Sequence, residues 1–371
     1  MAEREGFEPS IRFWRILTFQ ASAFDHSATA PHALDEPCAL DAWWGFRKRA
    51  GGGIMPGMMS GFDRFAGSVV AAMMLAPVAM ARGDAAAVPT PPEIVAAARP
   101  AEWVNVASAD LLVMDLAPDA AGRARRVVIQ LAPAPFAQGW IANLRKLAAA
   151  RWWDGLSVNR AQDNYVVQWG DPDSDTTAKA KALPAGLIDN GESAYLAPRF
   201  ALPAEADQAL SLGADAYAPD TRIVAGWPVG LDRDHAWLLH CYGMVGVGRD
   251  NPPDTGTGAE LYAVIGQAPR QLDRNIALVG RVIEGIEVLS TLPRGTAALG
   301  FYASAGERVP ITAIRIGSDV PGLPVYQMLA TNSATFARYA AARANRRDRF
   351  FIAPAGGVDA CNVPVPVRRA P

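Results

Sequence analysis

The sequence predicts a mainly β protein: a closed antiparallel barrel with two helices, plus a long loop insert and a helical C-terminal extension. Two observations predict the barrel. Short runs of strand length recur between residues 111 and 316, and within that region only two stretches read as helices. Many short strands with few helices favour closure, because a closed barrel leaves no strand edge unpaired.

The elements follow in order. Residues 111–116 and 126–131 read as two strands around a Pro/Gly-containing turn, with Val127, Ile129 and Leu131 on one face of the second. Phe136, Trp140, Leu144 and Leu147 recur at spacings of four, four and three, the stripe of an amphipathic helix. Residues 157–160 and 165–169 read as a strand pair. Further strands are expected at 262–265, 277–283 and 311–316, and a second short helix at 285–292.

The chain divides into five stretches. Residues 1–54 read as sequence upstream of the true start, which is expected at Met55, Met58 or Met59. That arm has no clear periodicity and mixes Trp14, Trp43 and Trp44 with breakers. Residues 55–81 read as a signal peptide: Arg64, then an uncharged apolar run over 65–81 closed by Ala79-Met80-Ala81. A membrane anchor is the alternative, but the run is shorter than the roughly 20 residues a spanning helix needs, and Pro77 interrupts it. Residues 82–101 read as an Ala/Pro-rich linker. The barrel domain is expected over 102–318, with an insert at 172–240, and a C-terminal extension over 319–371. The insert is rich in Ala, Pro, Gly and Asp and reads as surface loops with little regular structure. In the extension, Leu329, Phe336, Tyr339 and Ala340 share a helical face, so one helix is expected to pack on the barrel. Arg343, Arg346, Arg347 and Arg349 follow, as either a binding patch or a solvated helix end.

A formal net charge of -2 gives no argument for a nucleic-acid partner. Of three cysteines, Cys38 lies in the upstream arm. Cys241 and Cys361 are left, an even number in a chain read as exported, where disulfides persist. A bridge between them would tie the C-terminal extension to the strand opening at Gly243; two unrelated thiols are the alternative. His235 and His240, at spacing five, suggest no metal pair and read as solvated loop residues. The run from Asp171 to Asp175 resembles the start of a calcium loop. It fails at Thr176, where glycine is needed, and at Ala182, where the bidentate glutamate belongs. Gly246-Val247-Gly248 lacks the third glycine of a dinucleotide loop. No C-x-x-C, G-x-S-x-G or H-E-x-x-H occurs.

The most informative stretch is Val158-Asn159-Arg160-Ala161-Gln162-Asp163-Asn164-Tyr165-Val166-Val167-Gln168-Trp169-Gly170-Asp171. It resembles the signature of the cyclophilins, the cyclophilin-type peptidyl-prolyl cis-trans isomerases, whose pattern runs F-H-R, four residues, F-M, one residue, Q-G-G-D. Arg160, Tyr165, Gln168, Gly170 and Asp171 fall in register; Tyr165 replaces Phe, Val166 replaces Met and Trp169 replaces a Gly. Asn143-Leu144-Arg145 is similar to the N-F-R of the family's first helix. The stretch from Gly243 to Gly248 resembles G-x-L-S-M-A, and that from Thr257 to Tyr262 resembles N-G-S-Q-F-F. Leu272-Asp273 and the run from Val279 to Gly285 resemble the L-D and F-G-K-V-x-E-G segment. The resemblance covers about residues 110–317 and implies eight strands closed by a helix at each end.

It also implies a chemistry. Rotation about an X-Pro bond has a barrier of roughly 20 kcal/mol from amide resonance. In the twisted transition state that resonance is lost and the proline nitrogen gains a lone pair. A guanidinium aimed at that nitrogen stabilises the twisted state over both planar ones. Arg160 stands where the family has its catalytic arginine, and Gln168 where a glutamine holds the substrate backbone. Tyr165, Val166 and Tyr262 stand at the proline pocket, with Glu260, Leu261, Gln271 and Leu272 beside it. The family's glutamine is Glu260 here, its rim tryptophan Gln271 and its rim histidine Ile276. Glu260 is expected to pair with Arg160, either turning it from the pocket and lowering activity, or orienting it. No cofactor and no metal are implied. The partners are proline-containing unfolded or loop polypeptide segments, the chain acting as a monomer in the periplasm. A binding module for such segments, with little turnover, is the alternative in a different class.

Overall fold

The computed structural model describes residues 88–176 and 178–371. The readings at 1–54 and 55–81, Cys38, and the part of the linker reading at 82–87 lie outside these residues.

Eight strands close the barrel. In chain order the elements are helix α1 (Pro91–Ala96), strands β1 (Trp103–Val106), β2 (Leu111–Leu116) and β3 (Arg125–Leu131), then helix α2 (Gln138–Ala149). Strands β4 (Ser157–Ala161) and β5 (Val166–Gly170) form the next pair. The insert holds β6 (Ala197–Pro198), β7 (Leu210–Gly213), β8 (Asp220–Val224), β9 (Trp227–Leu231) and β10 (His235–Leu238). Strands β11 (Met244–Val247), β12 (Leu261–Val264) and β13 (Leu278–Glu284), helix α3 (Ile286–Ser290) and β14 (Val309–Ile316) complete the barrel. The extension holds β15 (Tyr326–Leu329), α4 (Ala334–Ala344) and β16 (Val367–Arg369). The closed order is β11-β12-β5-β4-β14-β2-β3-β13, antiparallel throughout.

Strand alternation explains the core. Leu112 and Met114 of β2, Val127 and Ile129 of β3, Val158 of β4, Val167 and Trp169 of β5, and Leu261 and Ala263 of β12 all enter one buried apolar cluster. Helix α2 adds Trp140, Ile141, Leu144 and Leu147 to it. Trp169 is fully buried in this core, so the residue that replaces a family glycine fills the barrel rather than the site.

The insert differs from the expectation of loops. It carries a five-stranded sheet in the order β6-β10-β9-β8-β7. Trp227, Val229, Leu231, Ala236 and Trp237 are buried, in the same apolar cluster as the barrel core. Composition misleads here because the turn residues lie between strands of five residues or fewer. Such strands leave little periodicity to see.

The linker reading over 82–101 also changes. Its described part contains α1, whose N-terminus is closed by a reciprocal capping box between Thr90 and Glu93 and which buries Ile94. In the extension, Leu329 lies on β15, not on the helix. Helix α4 starts at Ala334, where Ser333 accepts the Phe336 N–H. It buries Phe336, Tyr339 and Ala340 with Ile94, Trp103, Ile223, Leu329 and Val363, so it packs on α1 and the sheet β1-β15-β16 rather than on the barrel core. A disulfide joins Cys241, just before β11, to Cys361, with Cα atoms 5.0 Å apart.

Candidate functional site

The barrel's registers align the candidate residues. Val167, Trp169, Leu261 and Ala263 point inward, so alternation sends Val166, Gln168, Tyr262 and Val264 to the other face of β5 and β12. On β4, Val158 and Ala161 enter the core, and a bulge between Val158 and Arg160 turns Arg160 to that same outer face. Arg160 pairs with Gln168 across β4 and β5, and Gln168 with Tyr262 across β5 and β12. The three side chains therefore stand in one row over three adjacent strands. Val166 pairs with Val264 in the next row. Tyr165, Val166, Tyr262 and Val264 form a small buried apolar cluster, with Leu272 and Ile276 packed against it.

Three other candidates fall elsewhere. Leu261 points into the barrel core and is fully buried, so it offers nothing to a substrate on the outer face. Gln271 is exposed on the turn Arg270–Leu272, outside the apolar cluster. Glu260 does not pair with Arg160. Its Oε1 accepts the backbone N–H of Asp171 at 2.6 Å, and the side-chain amides of Asn159 and Gln168 lie beside it. The Cα of Gly170 sits so close to this carboxyl group that a Cβ there would stand 2.1 Å from Oε1. Oε2 is buried without a hydrogen-bond partner. Burial, the largest cause, pushes the carboxyl pKa up to about 8. At neutral pH Glu260 is therefore mostly protonated, uncharged and close in shape to the glutamine of the family pattern. It has no charge with which to attract a guanidinium, and the expected ion pair is overturned.

Arg160 is itself enclosed, at 2% exposure. Its Nε donates to the Leu299 carbonyl at 2.8 Å and its Nη1 to Gln168 Oε1 at 3.3 Å, while Nη2 donates to Gln162 Oε1. The guanidinium carbon lies 5.6 Å from the Tyr165 ring centroid and 5.1 Å from that of Phe301. Desolvation lowers its pKa to about 10, which still leaves the group cationic at neutral pH. Leu299 reaches Arg160 through a left-handed backbone, φ 57°, an uncommon conformation for leucine that turns its carbonyl toward the guanidinium.

Against the apolar cluster lies a network that sequence reasoning missed. His240, read as a solvated loop residue, is fully buried. Its Nδ1 lies 2.9 Å from Asp273 Oδ1 and its Nε2 3.0 Å from the Tyr262 hydroxyl. Asp273 accepts the His240 backbone N–H and is paired with Arg270, and an acceptor there assigns the proton to Nδ1 and makes Nε2 the acceptor of the Tyr262 O–H. Asp273 also accepts the His240 backbone N–H at 2.9 Å and Arg270 Nε at 2.5 Å, and Arg270 reaches Asp215 at 2.7 Å. The Tyr262 hydroxyl lies over Gly246, where a Cβ would come within 2.3 Å of it. Glycine at 246 and the acceptor on His240 together hold the tyrosine ring as a wall of the apolar cluster. Burial raises the Tyr262 pKa well above its usual value, consistent with a hydroxyl that donates. The Leu272-Asp273 motif was the available signal, since it marks the acid; nothing in the spacing ties that acid to His240. Gln162, Leu299 and Phe301 carried no signal either.

A closed barrel sets a cationic guanidinium beside an apolar, aromatic-walled cluster, an arrangement able to seat a proline ring with its nitrogen toward a hydrogen-bond donor. A family model described as cyclophilin type peptidyl-prolyl cis-trans isomerase/CLD matches residues 120–316, more than half of the chain. The chain belongs to that family and is a peptidyl-prolyl cis-trans isomerase. Among solved structures, the cyclophilin AquaCyp293 from Hirschia baltica is similar over 72% of this chain and 92% of its own, with a TM-score of 0.52 and 18% identity, a likeness of fold. A cyclophilin type peptidyl-prolyl cis-trans isomerase of Cryptosporidium parvum covers 56% of this chain and 97% of its own, at 13% identity and a TM-score of 0.33. No curated protein matches the chain.

Proposed function

We propose that this isomerase acts on X-Pro bonds of exported polypeptides and assists their folding, with activity held low by enclosure of Arg160. The row Arg160-Gln168-Tyr262 carries the reading. A proline ring seated against Tyr165, Val166 and Tyr262 brings its nitrogen toward the guanidinium, and Gln168 holds the neighbouring peptide group. As the amide twists, the nitrogen lone pair gains basicity and accepts a hydrogen bond from Arg160. That bond forms only in the twisted state, so it lowers the barrier. No bond is made or broken, so no cofactor is required.

Arg160 is only partly available: three of its five N–H groups are engaged. Each of its nitrogens already donates to an acceptor, and Phe301 covers it. The same enclosure favours the second reading, a module that binds prolyl segments with little turnover. The apolar run at 65–81 and the Cys241–Cys361 bond support export to the periplasm. A protease-coupled isomerisation assay on short X-Pro peptides, run beside calorimetric binding of the same peptides, separates the two readings. Turnover that disappears in Arg160→Ala supports the enzyme. Binding without turnover in the parent supports the module. An Arg160→Ala variant as active as the parent overturns the catalytic assignment.

A further inference from the structure

The segment between α4 and the Cys361 anchor ends in the largest exposed apolar tip among the described residues. Phe350 is 83% exposed, Phe351 39% and Ile352 101%, three in succession. Single exposed apolar residues are ordinary, but three adjoining ones, two of them almost wholly exposed, work against the hydrophobic effect and point to an unseen partner.

Both ends of the segment are fixed. On one side, α4 buries Phe336 and Tyr339. On the other, Cys361 is bonded to Cys241, Val363 is buried, and the Pro364 carbonyl accepts the Tyr339 hydroxyl at 2.8 Å. Arg343 donates to the Asn362 carbonyl and closes the base. The tip is thus held out from a braced loop.

Charge completes the pattern. Arg346, Arg347 and Arg349 stand immediately before the tip with one acid, Asp348, among them. Arg346 takes that acid at 2.5 Å and stacks on Phe351, its guanidinium carbon 4.4 Å from the ring centroid. Arg347 and Arg349 are exposed and pair with nothing among the described residues. The other acids on the neighbouring elements are Glu93, engaged by Thr90, Glu102, engaged by Arg99 and Thr335, and Asp359, engaged by the Cys361 N–H. None of them pairs with Arg347 or Arg349.

A protruding apolar tip fits a soft surface that it can enter, and unpaired cations at its base fit a face of phosphates. A bilayer with anionic headgroups offers both. Arginine suits this boundary because it binds phosphate bidentately while its stem stays in apolar surroundings. We infer that the loop over residues 346–352 is an interfacial anchor, inserting Phe350, Phe351 and Ile352 at the surface of an anionic bilayer while Arg347 and Arg349 bind lipid phosphates. Attachment is reversible and places the barrel at the membrane face.

The test is co-sedimentation of the full chain with vesicles of phosphatidylcholine alone and of equal parts phosphatidylcholine and phosphatidylglycerol. The parent should partition onto the anionic vesicles. The double variants Phe350→Ser with Ile352→Ser, and Arg347→Glu with Arg349→Glu, should each bind about tenfold more weakly. Both variants should keep the parent's thermal melting and X-Pro turnover, since neither pair touches the core or the site. The readout is the difference between parent and variants, so binding through the apolar run at 65–81 does not mimic it. Variants that partition like the parent, or a parent indifferent to lipid charge, overturn the anchor. So does concentration-dependent self-association of the parent that the same variants abolish, which would make the tip a protein contact.

Discussion

Glu260 accepts the backbone N–H of Asp171 at 2.6 Å, and that bond, not one to Arg160, fixes its place in the site. The carboxyl group is buried and its pKa is pushed up to about 8 from 4.5. An acid with a raised folded pKa binds more protons folded than unfolded between those values. Its contribution to stability is whole below pH 4.5 and is lost as pH rises to about 8. Glu260→Gln removes this loss. The variant should match the parent below pH 4.5 and exceed it above pH 8 by up to about 5 kcal/mol, the linkage equivalent of moving the carboxyl pKa from 4.5 to about 8. Urea unfolding at both pH values measures the gap. Turnover at neutral pH should stay near the parent's, because the protonated acid and the amide are isosteric. A large rise in turnover would restore the ion-pair reading.

Phe301 and Tyr165 flank the Arg160 guanidinium, 5.1 and 5.6 Å away. Phe301→Ala removes one cover and leaves the Leu299 carbonyl and Gln168 in place. Turnover per unit substrate should rise severalfold, about 1 kcal/mol of barrier, the scale of one cation–π contact. Arg160→Ala in the same background should remove the gain. A Phe301→Ala variant slower than the parent would show that the ring positions Arg160 instead of covering it.

The barrel and the row of site residues were legible because alternation and spaced motifs fix them together. Once Val167 and Leu261 face inward, Gln168 and Tyr262 must face outward; Arg160 joins them only through the bulge in β4, which motif spacing marks but alternation does not. The insert's sheet was not legible: its strands are short, and their apolar residues become meaningful only against the barrel. Helix α1 was hidden by the Ala/Pro composition around it. The Glu260 environment could not be read because sequence gives identity but not burial, and burial decides whether a carboxyl group carries charge. His240 and Tyr262 are 22 positions apart, on elements that meet only in the closed barrel.

Reduction should expose what the Cys241–Cys361 bond contributes. The bridge spans 120 positions. Closing so long a loop is worth about 4 kcal/mol in the chain-entropy model. Cys241→Ser with Cys361→Ser should lower stability by that order and loosen the extension while preserving the barrel. Hydrogen exchange should rise first in α4 and β16. Uniform exchange across the barrel and extension would show that the bond holds no separate unit.

The Tyr262–His240–Asp273 chain makes a prediction about binding rather than chemistry. Tyr262 supplies a wall of the apolar cluster, and His240 fixes its hydroxyl from the buried side at 3.0 Å. A wall contacts the proline ring equally in the planar and twisted states. Loosening it should therefore raise KM more than it lowers kcat. His240→Leu strands the Tyr262 hydroxyl and removes a donor from Asp273, which keeps the His240 backbone N–H and Arg270. The expected loss of stability is about 2 kcal/mol. Adding Tyr262→Phe removes the stranded hydroxyl and should recover part of both the stability and the KM. That non-additivity is the signature of a direct contact. Strictly additive single and double variants, in unfolding and in KM, would show that His240 serves the fold without positioning the pocket wall.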